Sequence, residues 1–404
     1  MRAYSNSAVG NESEGLRRNL PAVSSPFEEQ ARNGAKLDLK TICYPDLGAL
    51  PESYAALFEE GASESFFLSR PWFQNYIETV VPPGTPVNIY GVETEQGSAR
   101  GALLMQHTQP RGAMLAPTIM EGLANYYSPC FAPIISSHGD FRSIVAALAE
   151  GLWRDRGSWD VVKLQPVNQA SPAFAALVDA FRTVGIVVQT FFCFGNWYLE
   201  VGGRTYQEYL GGLSSVLRKN IPYNIRRLEK SGHNRIEIVT QGDEVERALG
   251  DYEKIYSASW KIKEAYPGFV RGLVKTAKES GWLRMGMIYV NNEPAASQIW
   301  IVRGGIASIY KIAYDERFAK LSVGTALTAK LMQHVMDIDK VRIVDYLSGE
   351  DEYKRVWMSH RREFWGILAL NPRSIRGLMQ IGRHVGGSAA KKTVRKLFGW
   401  SRIH

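Results

Sequence analysis

Tyr310-Lys311-Ile312-Ala313-Tyr314-Asp315, then Ser322-Val323-Gly324-Thr325, then Asp345-Tyr346-Leu347-Ser348-Gly349, and finally Tyr353-Lys354, form the stretch whose reading decides the fold. The chain just before it alternates. Leu283, Met285, Met287 and Tyr289 recur with period two, which predicts a strand, and Asn291-Asn292 turns it into a second strand over Ala295 to Val302. Gly304-Gly305 turns the chain again into Ile306 to Tyr314, giving a three-stranded antiparallel meander. From Gly324 onward Leu327, Leu331, Val335 and Ile338 recur at spacings of three and four, the pattern of an amphipathic helix whose apolar stripe lies on a sheet. Val341 to Tyr346 then reads as a buried strand returning beside the meander. Strand, loop, helix and strand make a crossover unit, in which ligands sit where the loop meets the helix N-terminus.

Length and composition bound the rest. A chain of 404 residues is long for one core, and two domains are expected. With 45% apolar and 11% aromatic residues, and no apolar run near the ~18 to 20 residues a spanning helix needs, it reads as globular, with no membrane span. Met1 to Lys36 mixes Ser, Asn, Glu and Arg without an apolar centre, so a disordered leader is expected there, not a signal peptide. Cys43, Cys130 and Cys193 are odd in number and far apart, so neither a disulfide framework nor a metal site follows, and the cytoplasm is the expected compartment. The formal charge of +8 is matched by the eight basic residues of Asn371 to His404, a segment with no acid. The body is therefore close to neutral. A basic tail on a neutral body suggests a surface anchor or a handle for an acidic partner, where a basic body would have suggested nucleic acid.

The first half repeats the second in order. A helix containing Trp72, entered through Ser69 and Pro71, is followed by a hairpin from Val87 to His107 turning near Gly97. A strand over Phe131 to Ile135, a helix from Phe141, a strand from Trp159, a helix from Pro172 and a strand from Ile186 complete it. These correspond to Trp260 and its helix, the Met285 hairpin, the Gly324 helix and the Val341 to Gly349 strand. Between the halves, Leu213 to Gly232 reads as a basic helix, apolar at Leu217, Ile221, Ile225 and Leu228, with Pro222 inside it. The fold class is α/β, a mixed sheet in two tandem copies of one domain. The expected boundaries are 1–36 for the leader, 37–199 and 200–370 for the two domains, and 371–404 for the basic amphipathic tail.

In order and residue type, the hairpin, the Tyr-x-Lys-x-x-Tyr-Asp strand end, the Ser-x-Gly helix start, Asp-x-x-x-Gly and Tyr-Lys resemble the GNAT-fold transferases of the FemAB and CelD type. The likeness covers roughly Glu200 to Leu370. One position departs from the general GNAT pyrophosphate loop, Gln/Arg-x-x-Gly-x-Gly/Ala: Leu321 stands first, while Gly324 and Ala326 hold the fourth and sixth places. The resemblance implies an acyltransferase with acetyl-CoA or a longer acyl-CoA, or an acyl carrier protein, as donor. It implies an amine or hydroxyl acceptor in polysaccharide or cell-envelope biosynthesis, since CelD-like proteins are associated with cellulose biosynthesis. Aminoacyl transfer from tRNA to a peptidoglycan peptide, as in FemAB relatives, is the alternative. So is a GNAT scaffold without activity that serves polysaccharide export.

Acyl transfer needs a hold on the donor's phosphates, a dipole on its carbonyl and a route for the acceptor's proton. Ser322, Val323, Gly324 and Thr325 place backbone N–H groups at a helix start with no Cβ in the way, and Lys320 is the nearest cation; a Ser cap with a packing Gly is the plainer reading. Asp345, in an otherwise apolar strand, needs a partner: it is either a proton-handling carboxylate or half of an ion pair with Lys311 or Arg342. Tyr314 and Tyr353 are candidate acids and equally core aromatics. Lys354 matches the family's Tyr-Lys pair, and the resemblance puts it near the cleft. Tyr353, Val356, Trp357 and His360 are expected on one helix face. Trp260 with Lys261, Gln298 and Lys311 are candidate substrate contacts. No nucleophile elbow, Walker loop or metal-spaced His pair occurs, so no metal is expected. In the tail, Ile375, Leu378, Met379 and Ile381 interleave with arginines, which fits peripheral contact with an anionic membrane at its inner surface, or a solvated end.

Overall fold

Asn291 and Asn292 both take positive φ (49° and 67°), as do Gly304 and Gly305 (58° and 73°), so both turns of the second meander have the twist that lets short hairpins close. The computed structural model describes residues 38–108 and 116–384, and the expected leader and the last twenty residues of the tail lie outside them. The first half runs β1 (Leu39–Tyr44), α1 (Tyr54–Glu64), α2 (Arg70–Thr79), β2 (Val87–Thr94), β3 (Ala99–Thr108), β4 (Ile119–Gly122), β5 (Ile134–Ile135), α3 (Phe141–Arg154), β6 (Val161–Asn168), α4 (Pro172–Thr183) and β7 (Val187–Glu200). Two helices, α5 (Tyr206–Gly212) and the basic α6 (Ser215–Lys230), lead into the second half. It runs β8 (Asn234–Val239), α7 (Glu244–Ser257), α8 (Pro267–Glu279), β9 (Leu283–Val290), β10 (Glu293–Arg303), β11 (Ile306–Tyr314), α9 (Val323–Asp337), β12 (Ile343–Ser348), α10 (Glu352–Arg355) and β13 (His360–Leu370).

All these strands join one mixed sheet in the order β1-β2-β3-β4-β6-β13-β7-β12-β11-β10-β9-β8, with β5 on β3. Read inward from its two ends, the sheet is the same twice: a meander, then one parallel pair, β4 with β6 and β11 with β12. The tandem repeat is therefore real. At the centre the halves exchange strands. β13 of the second half pairs with β6 of the first, β7 of the first pairs with β12 of the second, and β7 and β13 pair with each other from Tyr198↔His360 to Val187↔Leu370.

Period two sorts the cores. On β9, Leu283, Met285 and Met287 face the core shared with α7 and α8, while Ile288 and Val290 face the core under α5, α6 and α9. A Cβ on Gly286 would stand 2.7 Å from Leu331 Cδ1, so α9 lies directly on the strand. The stripe of α9 is buried through Leu327, Leu331 and Val335, but Ile338 is past the helix and exposed. Across the approximate symmetry α2 packs on α8: Trp72 meets Phe269 edge-on at 5.4 Å, and Asn75 Nδ2 donates to the Phe269 carbonyl (3.2 Å) above Gly272, where a Cβ would collide with Asn75.

The counterpart of the Trp72 helix is α8; Trp260 lies in the loop before it. The helix after Gly349 is one turn, and His360 opens β13 instead of closing a helical stripe. The strand expected over Phe131 to Ile135 shrinks to Ile134–Ile135, and β4, β8 and β13 were not foreseen. Among the described residues no helix is long and apolar enough to cross a membrane.

Candidate active site

The parallel pairing of β11 with β12 covers three positions, Ile306↔Ile343, Ala307↔Val344 and Ser308↔Asp345, and then the strands part. A bulge on each strand accompanies the parting. On β11 the register jumps from Ile299↔Lys311 to Trp300↔Ile309, leaving Tyr310 extra, and both Tyr310 and Lys311 turn toward Tyr127 of the first half. On β12 the register against β7 shifts between Asp345 and Ser348, with Leu347 at φ 58°. The exchanged strands pin that bulge. Asn196 Nδ2 on β7 donates to Asp345 Oδ1 (2.6 Å) and to the Leu347 carbonyl (2.7 Å), and the Leu347 N–H donates to Asp345 Oδ1 (2.7 Å). Arg362 on β13 donates to Asp345 Oδ2 and, through Nε, to Asn196 Oδ1 (2.6 Å). Asp345 is only 4% exposed and both of its oxygens are engaged, as a buried charge requires.

A cavity of about 200 Å³ opens where the strands part. Lys311, Tyr353 and Lys354 line it, with Tyr310, Tyr346 and Lys261; Tyr126, Tyr127 and Pro129 of the first half form its far wall. Lys354 is buried, donates to the Ser348 carbonyl and pairs with Asp351 (3.1 Å), beneath a Gly349 at φ 102°. Lys311 pairs with Glu264 (2.6 Å), which also accepts from the Tyr127 hydroxyl. Burial alone would raise the Glu264 carboxyl, but the donors Lys311, Tyr127 and Tyr256, with the charge of Lys311, outweigh it and hold the group below the usual range. Lys261 has no such partner among the described residues and lies over the Trp260 ring, 5.5 Å from its centroid. Burial first, then the ammonium charges of Lys311 and Lys354, lower its pKa, with Glu264 and Asp351 opposing. Burial and then Asp351 push the Tyr353 phenol up to about 12.

Beside this cavity begins α9. Ser322 enters it at φ 55° and its hydroxyl makes no cap bond, so the first N–H groups of the helix are left without a side-chain acceptor. Val323 is buried, Thr325 is half-buried and Lys320 is exposed. Gly324 rests on Tyr314, where a Cβ would stand 3.4 Å from the ring, and Tyr314 in turn packs on Trp260 at 4.6 Å. Trp260 is 52% exposed at the edge of this stack. Gln298 is bound to α9: its Nε2 donates to Thr328 Oγ1 (2.8 Å) and the Gly324 carbonyl (3.2 Å), and its Oε1 accepts from Trp300 Nε1 (2.8 Å). It fixes the first turn of α9 and does not line the cavity.

The structure thus brings Lys311, Tyr353 and Lys354 into one cavity, sets Tyr314, Gly324 and Trp260 next to it, and places Asp345 behind its wall. Tyr127, Glu264, Asn196 and Arg362 were missed. Among the described residues no group of His, Cys, Asp and Glu could hold a metal ion.

Residues 215–355 match the family model of an acetyltransferase (GNAT) domain, a span that opens with α6 and closes with α10. Over that span the chain is similar to a GNAT acetyltransferase domain. The uncapped start of α9 and the lysines of the cavity lie inside it, while the cavity's far wall, Tyr126, Tyr127 and Pro129, lies outside. Over the longer chain, the fold of FemX aligns at TM-score 0.55 and 9% identity, covering 78% of this chain and 95% of that one. A conserved protein of unknown function from Bacteroides thetaiotaomicron aligns at TM-score 0.53 and 9% identity, covering 83% and 99%. A tandem GNAT protein from the clavulanic acid biosynthesis pathway aligns at TM-score 0.47 and 12% identity, covering 83% and 100%. At these identities the likeness is one of fold. No curated protein matches the chain in sequence.

Proposed function

We infer that the protein moves an acyl group from acetyl-CoA, a longer acyl-CoA or an acyl carrier protein to an amine or hydroxyl acceptor. It would act in the cytoplasm, in polysaccharide or cell-envelope biosynthesis of the CelD-like kind, in peripheral contact with the inner face of the membrane. The observation that carries this reading is the parted β11–β12 pair with an uncapped helix start beside it. The donor's phosphates fit the N–H groups of Val323, Gly324 and Thr325, with Lys320 adding charge and the Ser322 hydroxyl free to contribute. Leu321, at the first place of that loop, supplies no side-chain donor. The acyl carbonyl would lie between the strands, where pairing has stopped and backbone groups are open to it.

Within the cavity the roles divide by what each residue already holds. Lys311 is committed to Glu264 and Lys354 to Asp351 and the Ser348 carbonyl, so both act as fixed positive charge for the oxyanion. Lys261 is the amine free to take the proton that the acceptor loses as its nitrogen or oxygen bonds to the acyl carbon and the bond to the leaving sulfur breaks. The Tyr353 phenol is the group at hand to protonate the leaving thiolate. Tyr126 and Tyr127 form the acceptor's wall, and Trp260 its outer edge. Asp345 acts through position, by holding the bulge that parts the strands.

A second reading, an aminoacyl-tRNA donor, is favoured by one observation: α6 packs against α9 and exposes Arg218, Lys219, Arg226 and Lys230. Calorimetric titration with acetyl-CoA, long-chain acyl-CoA and charged tRNA separates the two. Micromolar binding of a CoA ester that Gly324→Glu abolishes supports the first reading. Binding of tRNA alone replaces it with the second, and a folded protein that binds none of the three leaves an acyl carrier protein as the one donor of this reading still to be titrated.

A further inference from the structure

The helix over residues 375–384 carries its apolar stripe on the outside. Its beginning is fastened down. Asn371 Nδ2 donates to the carbonyls of Arg156 (2.8 Å) and Trp159 (3.0 Å), and Ser374 Oγ donates to Asp160 Oδ1 (2.6 Å). The inward face is Gly377, where a Cβ would stand 2.0 Å from the Asn371 carbonyl oxygen. The outward face is therefore set, and it shows Ile375, Leu378 and Met379, which are 78%, 53% and 41% exposed at spacing i, i+3, i+4. A surface helix of a globular protein has the opposite arrangement, with its apolar stripe on the core.

Charge identifies the occupant. Arg373 and Arg383 are exposed beside the stripe, and from Asn371 to His404 eight basic residues occur with no acid. We propose that this outward face docks on an anionic lipid bilayer, with Ile375, Leu378 and Met379 entering the headgroup boundary and the arginines meeting lipid phosphates. An apolar stripe with a cationic flank is the pattern of a helix lying in that boundary.

The docked face is joined to the active site by open clefts. One of about 330 Å³, lined by Arg156, Arg373 and Ser374, shares Thr118 and Ser158 with a cleft of about 1350 Å³ on the first half. The larger one shares Tyr126 with the lysine-lined cavity. An acceptor carried by the membrane would reach Tyr126 along this path. That last step rests on the transfer reading above, whereas the docking does not.

The test is flotation of the full chain with vesicles of phosphatidylcholine alone, or mixed with an equal part of phosphatidylglycerol, in the absence of any acyl donor. Binding is expected only to the mixed vesicles. Neutralising Arg373 or Arg383 to Gln should each lower it about fivefold. Changing Ile375, Leu378 and Met379 together to Ser leaves the charge untouched and should lower it at least about tenfold. These side chains are exposed, so an unchanged thermal midpoint is expected and serves as the folding control. Failure to bind mixed vesicles, equal binding to both kinds, or an unaffected triple variant overturns the proposal. So does transfer of the protein from mixed vesicles to added tRNA at equal phosphate, which would assign the basic face to nucleic acid. Because no donor is present, vesicle binding without any CoA, carrier-protein or tRNA binding in calorimetry would sink the transfer reading and leave the docking standing.

Discussion

Arg362 and Asp345 form an ion pair although a whole strand separates them. The guanidinium leaves β13, passes over the Tyr198 ring of β7 at 4.8 Å, and reaches the carboxylate on β12. Removing the cation strands a carboxylate that is 4% exposed. Arg362→Met should therefore cost about 3 to 5 kcal/mol in chemical denaturation, and Arg362→Met with Asp345→Leu should cost less than the single change. A double variant as unstable as the single one would mean that the pair is not what holds the bulge.

Lys261 gives a pH signature of its own. Its pKa is lower folded than unfolded, by burial and by Lys311 and Lys354, so the unfolded chain binds a proton the folded chain has released. The resulting penalty is fully present below the folded value and is relieved as pH rises toward the ordinary lysine range, so stability should climb through that window. Lys261→Met should flatten the climb and lower the transfer rate by about 10²- to 10⁴-fold, while Lys261→Arg, which cannot shed its proton, should not restore it. A pH–rate profile whose rising limb survives in Lys261→Met assigns the proton to another group.

Tyr127 and Glu264 join the two halves at the cavity. The folded carboxyl of Glu264 titrates below its unfolded value, so its contribution is present above the ordinary carboxylate range and lost as pH falls through the folded value. Glu264→Gln should remove that acid sensitivity from a melting curve recorded against pH. Tyr127→Phe should cost about 1 to 2 kcal/mol and act on the acceptor's KM more than on kcat, because the ring, stacked on Phe269 at 4.4 Å, stays in place.

Gly286 tests how α9 is seated. Gly286→Val should drive Leu327 and Leu331 off β9 at a cost of about 1 to 3 kcal/mol and, if the start of α9 holds the donor's phosphates as proposed, weaken donor binding with it. Thermal unfolding and donor titration on one sample would show whether the two losses travel together.

What the sequence made legible follows from where its signals are local. The Asn-Asn and Gly-Gly turns, the period of β9 and the stripe of α9 each sit within a dozen residues and were read directly. Tyr353 and Lys354 were named as candidate catalytic groups and Lys311 as a candidate substrate contact, and all three line one cavity because two strand ends and one loop converge there. Glu264, Tyr127, Asn196 and Arg362 were invisible because their partners lie up to 183 residues away, as Tyr310 does from Tyr127, and up to 166 across the exchanged strands, as Asn196 does from Arg362. β13 was missed for a related reason: His360-Arg361-Arg362-Glu363 looks like a solvated run, yet Arg362 is spent on a buried carboxylate and Arg361 on Glu350. Trp260 was given a helix by analogy with Trp72, but no apolar period surrounds it.

The exchange of β7 and β13 also bears on how the molecule is made. As the chain leaves the ribosome, β6 is finished some two hundred residues before the strand that will cover its edge. Until residue 370 has emerged, the first half waits with an open margin beside β6, the kind of margin that invites pairing with another chain. The nascent protein therefore gains its closed sheet late and all at once, and holding factors that shield exposed strand edges would matter most in that interval.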